Sequence, residues 1–134
     1  MSEEALNLEA VERWEHLYNT DLPRFIDEMY AKDSEVCAMG VKTMKTPEQV
    51  HAEDFYALEA AILKTIPDRK THVERTLAQG DTVVVEGVWS GTEEGSARMW
   101  NVPFCAILIF RDGKIVVDRT YMSETPLPAL SSGE

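Results

Sequence analysis

The chain has 134 residues, two cysteines and a formal net charge of −11. That length is read as one domain spanning residues 1–134, large enough to bury a core without disulfides. The excess of acid argues against nucleic acid or an anionic membrane as a partner, because both need a basic footprint. No apolar run approaches a membrane span, and Met1-Ser2-Glu3-Glu4 lacks the basic and apolar regions of a signal peptide, so a cytoplasmic protein is expected. Cys37 and Cys105 stand apart in apolar stretches and read as structural thiols.

Residues 3–19 carry helical spacing, with Leu6, Ala10, Trp14, Leu17 and Tyr18 on one side and glutamates spread over the others. Asp21 is a good N-cap and Pro23 suits a first turn, which predicts a second helix over about 22–31 burying Leu22, Phe25, Ile26 and Met29. Ser34 to Met39 reads as a short strand. Thr46-Pro47-Glu48-Gln49 is a helix start, with Gln49 placed to close a capping box, and Pro67-Asp68 ends that third helix. Its apolar arc takes Val50, Phe55, Leu58, Ala61, Ile62 and Ile66, and it also admits His51 and Asp54.

Strands follow from Lys70 to Gln79 and from Thr82 to Ser90, with Gly80-Asp81 as the turn between them. The stretch 98–123 then reads as two long strands joined at Arg111-Asp112-Gly113, because Asp-Gly between β-rich runs supplies the positive φ of a tight turn. Val102 to Phe110 is apolar on both faces. Phe104, Ala106, Leu108 and Phe110 point one way and Cys105, Ile107 and Ile109 the other, so the strand must be covered on both sides. One cover is the helices. The other is expected to be a second copy of the chain, giving a homodimer through the sheet. Residues 126–134 read as a tail. Helices followed by a run of mostly antiparallel strands make an α+β domain with the helices on one face.

This order resembles the NTF2-like superfamily, in which a strongly curved sheet wraps a cone-shaped pocket closed by helices. Asn19-Thr20-Asp21-Leu22 with Tyr30-Ala31-Lys32-Asp33 looks like that family's first helical pair. Pro67-Asp68, Gly80-Asp81-Thr82-Val83-Val84-Val85 and Ser90-Gly91-Thr92 look like the SnoaL-like branch, named for polyketide cyclases. Asn101-Val102-Pro103-Phe104, Asp112-Gly113-Lys114-Ile115 and Arg119-Thr120-Tyr121 are similar to limonene-epoxide hydrolases. The catalytic residues of those hydrolases do not carry over. Their Arg-x-Asp pair matches Gly87 and Trp89, and their third acid matches Thr120. The acids and tyrosine of the ketosteroid isomerases, which share the fold, are also missing from the matching positions Trp14, Ala38 and Ala106.

The resemblance sets Val85, Gly87, Trp89, Phe104, Ala106, Leu108, Val116, Asp118, Thr120 and Met122 toward the pocket. Asp118 stands out, because a carboxyl in an apolar cone has a raised pKa and suits a general acid or base. The plainer alternative is an ion-paired Asp118 at the rim. His51 and Asp54, one turn apart, are the second candidate: a base oriented by a carboxylate, or simply a structural pair. Trp14, Tyr18, Met39, Trp89, Trp100, Phe104, Thr120 and Met122 are candidate pocket lining for a ring-shaped substrate, or core. Trp89 fills the space where the hydrolases keep an acid and should narrow and dry the pocket. His16 and His72 have no second ligand at metal spacing, so no metal and no cofactor are expected. The expected function is cofactor-independent acid–base chemistry on a small apolar organic molecule, polyketide- or terpenoid-like. The alternative is a pocket or dimerisation protein without catalysis.

Overall fold

The computed structural model describes residues 1–40 and 52–124, and their side chains except at 38–40 and 52–54. Helix α1 runs over Glu3–Thr20 and helix α2 over Leu22–Met29. Strand β1 is Tyr30–Gly40, helix α3 is Ala52–Thr65, and strands β2 to β5 are Lys70–Gln79, Thr82–Thr92, Met99–Arg111 and Lys114–Met122. The predicted start of the third helix at Thr46-Pro47 and the tail from residue 126 lie outside the described residues.

Local chemistry places the helix ends. Ser2 caps α1 by accepting the Ala5 N–H, and Asp21 caps α2 by accepting the Arg24 N–H, with proline in the first turn. Helix α2 stops two residues sooner than its spacing predicts. Tyr30 turns extended, at φ −115° and ψ 136°, and its N–H closes on the Ile26 carbonyl. The strand therefore begins at Tyr30, and the ring that looked like the end of a helix becomes the first residue of β1.

The five strands form one sheet in the order β1-β5-β4-β3-β2. Neighbours are antiparallel except β1, which lies parallel to β5 and sets Val36 beside Asp118 and Ala38 beside Thr120. Val102, Phe104, Ala106, Leu108 and Phe110 of β4 are buried against the helices, as their alternation predicts, while Cys105, Ile107 and Ile109 are half-buried on the other face. In β5 the alternation breaks once. Ile109 pairs with Val117 but Phe110 pairs with Ile115, leaving Val116 as an extra, bulged residue. Ile115 is therefore the residue that enters the core, and Val116, expected inside, is only half-buried. From Val117 onward the phase is the expected one, and Asp118 points inward.

Two glycines set the spacing between elements. A Cβ on Gly87 would stand 2.3 Å from the His72 carbonyl oxygen and 2.9 Å from the Phe104 ring. A Cβ on Gly91 would stand 2.3 Å from Ile66 Cγ2 and 3.1 Å from Arg69 Cα. The turn after α3 can rest on β3 only because position 91 is bare. The Asp68 carboxylate then fixes it by accepting the Thr92 N–H at 2.7 Å.

Candidate active site

Asp118 is buried, 3% exposed, on the helix-facing side of β5. The Tyr30 hydroxyl donates to its Oδ2 at 2.6 Å, and the Thr120 hydroxyl donates to its Oδ1 at 2.6 Å. The Trp14 indole N–H donates in turn to the Tyr30 oxygen at 3.0 Å. The two donors of the chain, Trp14 and Tyr30, point the same way toward Asp118, so one bond polarises the next. Burial pushes the Asp118 carboxyl above the ordinary carboxylate range, and the Thr120 and Tyr30 hydrogen bonds only partly offset it. The Tyr30 hydroxyl is pushed well above its own usual range by burial and by the neighbouring carboxylate.

A second chain of the same kind lies beside the first. The Trp89 indole donates to the Tyr18 oxygen at 2.8 Å, and the Tyr18 hydroxyl donates to Glu59 Oε1 at 2.7 Å. Arg69, 4% exposed, lays its guanidinium over the Tyr18 ring at 3.7 Å and donates from Nη1 to the Tyr18 carbonyl at 2.6 Å. Its Nε stands 3.6 Å from Glu59 Oε1 and makes no hydrogen bond. Burial raises the Glu59 pKa, the Tyr18 hydrogen bond and the Arg69 charge lower it, and the Asp118 charge raises it again.

One helix organises both chains. Trp14 and Tyr18 are one turn apart on α1 and so share a face. The Phe25 ring of α2 packs between them, 6.1 Å from Trp14 and 5.1 Å from Tyr18, and meets Tyr30 at 5.3 Å. Phe55 on α3 closes the cluster at 5.1 Å from Tyr30. The Asn19 side chain pins the end of α1 to β2, accepting the Thr71 N–H at 2.7 Å and donating to the Thr71 carbonyl at 2.9 Å.

The structure thus brings Asp118, Thr120 and Trp14 together around Tyr30, and Tyr18 with Trp89 around Glu59. Phe104 packs 6.4 Å from Trp14, and Met122 is buried opposite Phe104 in the sheet. Trp100 meets Trp89 edge-on at 6.3 Å, is covered by the Arg98 guanidinium at 3.7 Å, and donates to Glu93 at 3.0 Å. His51 lies outside the described residues. Asp54 lies in α3 and Met39 pairs with Tyr121 in β1, but their side chains are not among those described. Among the described residues, no three of His, Cys, Asp and Glu stand together as a metal would need, and no helix is long and apolar enough to cross a membrane.

Sequence reasoning missed Tyr30, Glu59 and Arg69. For Glu59 the signal was present: Phe55, Glu59, Ile62 and Ile66 recur at helical spacing, with the glutamate in the middle of the apolar stripe.

The profile of the SnoaL-like domain matches residues 11–117. The chain belongs to the SnoaL-like domain family. Solved structures agree on the fold. A Jannaschia sp. CCS1 protein named for the SnoaL-like polyketide cyclases aligns with TM-score 0.76 at 20% identity, over 98% of this chain and 93% of its own. IdmH of Streptomyces antibioticus, also named for polyketide cyclases, aligns with TM-score 0.76 at 18% identity over 94% and 98%. A Catenulispora acidiphila protein with a ketosteroid isomerase-like fold, solved with trimethylamine, aligns with TM-score 0.73 at 21% identity over 92% of both chains. No protein of curated function matches the chain by sequence. A side chain at position 87 would run into the Phe104 ring and the β2 backbone, so glycine is what this close approach of strands requires.

Proposed function

We propose that this SnoaL-like protein is a cofactor-independent acid–base enzyme acting on a small apolar molecule of polyketide or terpenoid type. The step is a proton transfer that accompanies cyclisation, isomerisation, dehydration or epoxide opening. The observation that carries the reading is the buried Asp118 carboxyl held by Tyr30 and Thr120. Burial makes it hold its proton to a higher pH than an ordinary aspartate, and the two hydroxyls stabilise the carboxylate once the proton leaves. Trp14, Phe104 and Met122 supply the apolar, water-poor surroundings. His51 and Asp54 are proposed to assist as a second acid–base pair. The half-buried outer face of Cys105, Ile107 and Ile109 supports a homodimer through the sheet.

The test is turnover of a panel of β-polycarbonyl, enone and terpenoid-epoxide substrates by the wild type and by Asp118→Asn. Loss of general acid–base catalysis should cost on the order of 100-fold or more in kcat, with binding of the same molecules retained. Undiminished turnover by Asp118→Asn would remove Asp118 from the chemistry. Binding without turnover by the wild type would instead favour a ligand-binding protein.

A further inference from the structure

The hydrogen bonds around Asp118 treat its two oxygens differently. An indole N–H can only donate, whereas a phenol and a threonine hydroxyl each carry one proton and can also accept. The Trp14 N–H donates to the Tyr30 oxygen at 3.0 Å, and Asp118 Oδ2 lies 2.6 Å from that same oxygen. Trp14 takes an acceptor position of Tyr30, and the one proton on the Tyr30 oxygen then goes to Oδ2. Were Oδ2 the protonated oxygen, Tyr30 would have to accept twice and turn its own proton away from the carboxyl, into a core where it is itself buried. A buried donor turned from its acceptor is costly. The rings of Phe25 and Phe55 pack on Tyr30 at 5.3 and 5.1 Å and hold the hydroxyl in place.

Oδ1 has another kind of neighbour. The Thr120 hydroxyl, 2.6 Å away, turns about its Cβ–Oγ bond and serves equally as donor or acceptor. It donates to Oδ1 while the carboxyl is ionised and accepts from Oδ1 once the carboxyl is protonated. The residues paired with Asp118 in the adjoining strands, Val36 of β1 and Leu108 of β4, are apolar. Thr120 is half-buried, while Asp118 and Tyr30 are both buried. We propose that Asp118 gains and loses its proton at Oδ1, that Oδ2 accepts from Tyr30 in both states, and that Thr120 is the positioning residue of the transferable proton, reversing its hydrogen bond each time.

The assignment of the oxygens stands on hydrogen-bond geometry; its use in catalysis rests on the acid–base reading above. On ionisation the Oδ1–H bond breaks, the proton passes to a base (water or a basic atom of the substrate), and the Thr120 O–H turns to donate to Oδ1. On protonation the same steps run backward. Tyr30 keeps its own proton throughout, in line with the direction in which burial and the carboxylate push its pKa. It is a fixed donor and not a proton carrier. Trp14 is the residue that makes the two oxygens unequal, and the reacting proton lies on the side of the carboxyl that faces Thr120.

The test reads the carbonyl stretch of protonated Asp118 in the substrate-free, full-length chain. Heavy carbon at the aspartate side-chain carboxyls separates that band from the glutamates, and its loss in Asp118→Asn assigns it. Spectra are taken on the acid side of its titration. A hydrogen bond accepted by the carbonyl oxygen lowers the stretch, so the band tells which hydroxyl faces the unprotonated oxygen. With the proton on Oδ1 that hydroxyl is Tyr30. Tyr30→Phe should therefore raise the frequency, and by more than Thr120→Val does. The reverse order, equal shifts, or a wild type with no such band down to acid unfolding overturns the assignment. Thr120→Val decides alone if Tyr30→Phe fails to fold: a carbonyl still in the hydrogen-bonded range supports it, and a move to the free range overturns it. In turnover, Thr120→Val should lower kcat and Thr120→Ser should recover it. Undiminished kcat in Thr120→Val overturns the part given to Thr120 in catalysis. Bands that behave as expected in a protein that turns over no substrate uphold the assignment and remove the enzyme reading.

Discussion

At the scale of single residues, the site is an arrangement of donors around carboxyls that burial would rather keep neutral. This gives a signed dependence of stability on pH. Burial raises the Asp118 and Glu59 pKa values in the folded chain, so each holds its proton to a higher pH than it does in the unfolded chain. Their contribution is full below the unfolded carboxylate pKa, about 4, and is lost as pH rises through the raised folded values. Urea midpoints measured from pH 4 to 8 should therefore shift in favour of Asp118→Asn relative to the wild type as pH rises. A difference independent of pH would mean that Asp118 is not held protonated. Tyr30→Phe tests the donor chain. It leaves the Trp14 N–H buried without its acceptor and takes one donor from Asp118. The expected loss is about 1–3 kcal/mol in urea unfolding at pH 5, with Asp118 ionising at higher pH than in the wild type.

At the scale of elements, the closest tolerances lie at the two bare positions of β3. Gly91→Ala places a methyl group into Ile66 and against the Arg69 backbone, so it should both cost about 1–3 kcal/mol and displace the guanidinium from Tyr18. Chemical denaturation gives the first effect, and the tyrosine and tryptophan near-ultraviolet circular dichroism gives the second. Most of this layer was legible in the sequence. The helices, the Asp-Gly hairpin and the two faces of β4 follow from period and turn chemistry, and both predict where side chains point when the strand is regular. The inward direction of Asp118 was legible for the same reason. What escaped depended on contacts between distant segments. The Val116 bulge is a register adjustment between two strands, and Tyr30 leaves its helix to pair with Ile115 of β5. Glu59 was passed over because a charged residue on an apolar arc is ordinarily discounted, and only the Tyr18 and Arg69 contacts, 41 residues away for Tyr18, show why it is there.

At the scale of the whole molecule, the sheet has one face under the helices and one left half-buried by its own side chains. On that second face Ile107 lies between Val84 and Arg119, and Cys105 between Glu86 and Tyr121. If a second copy covers it, Ile107→Glu should convert the protein from dimer to monomer in sedimentation at micromolar concentration, with the fold retained. A monomeric wild type would refute that association. The parallel pairing of β1 with β5 has a further consequence, for the time course of folding. The Tyr30–Asp118 hydrogen bond joins residues 88 apart in the chain. Contacts of such separation carry a large loop-closure entropy and tend to form after local ones. Helices α1 and α2 and the hairpins of β2 to β5 can all assemble while Asp118 is still an ordinary solvated aspartate. Its altered proton affinity would arise only when the first and last strands meet, so the raised Asp118 pKa would be among the last properties a refolding chain acquires.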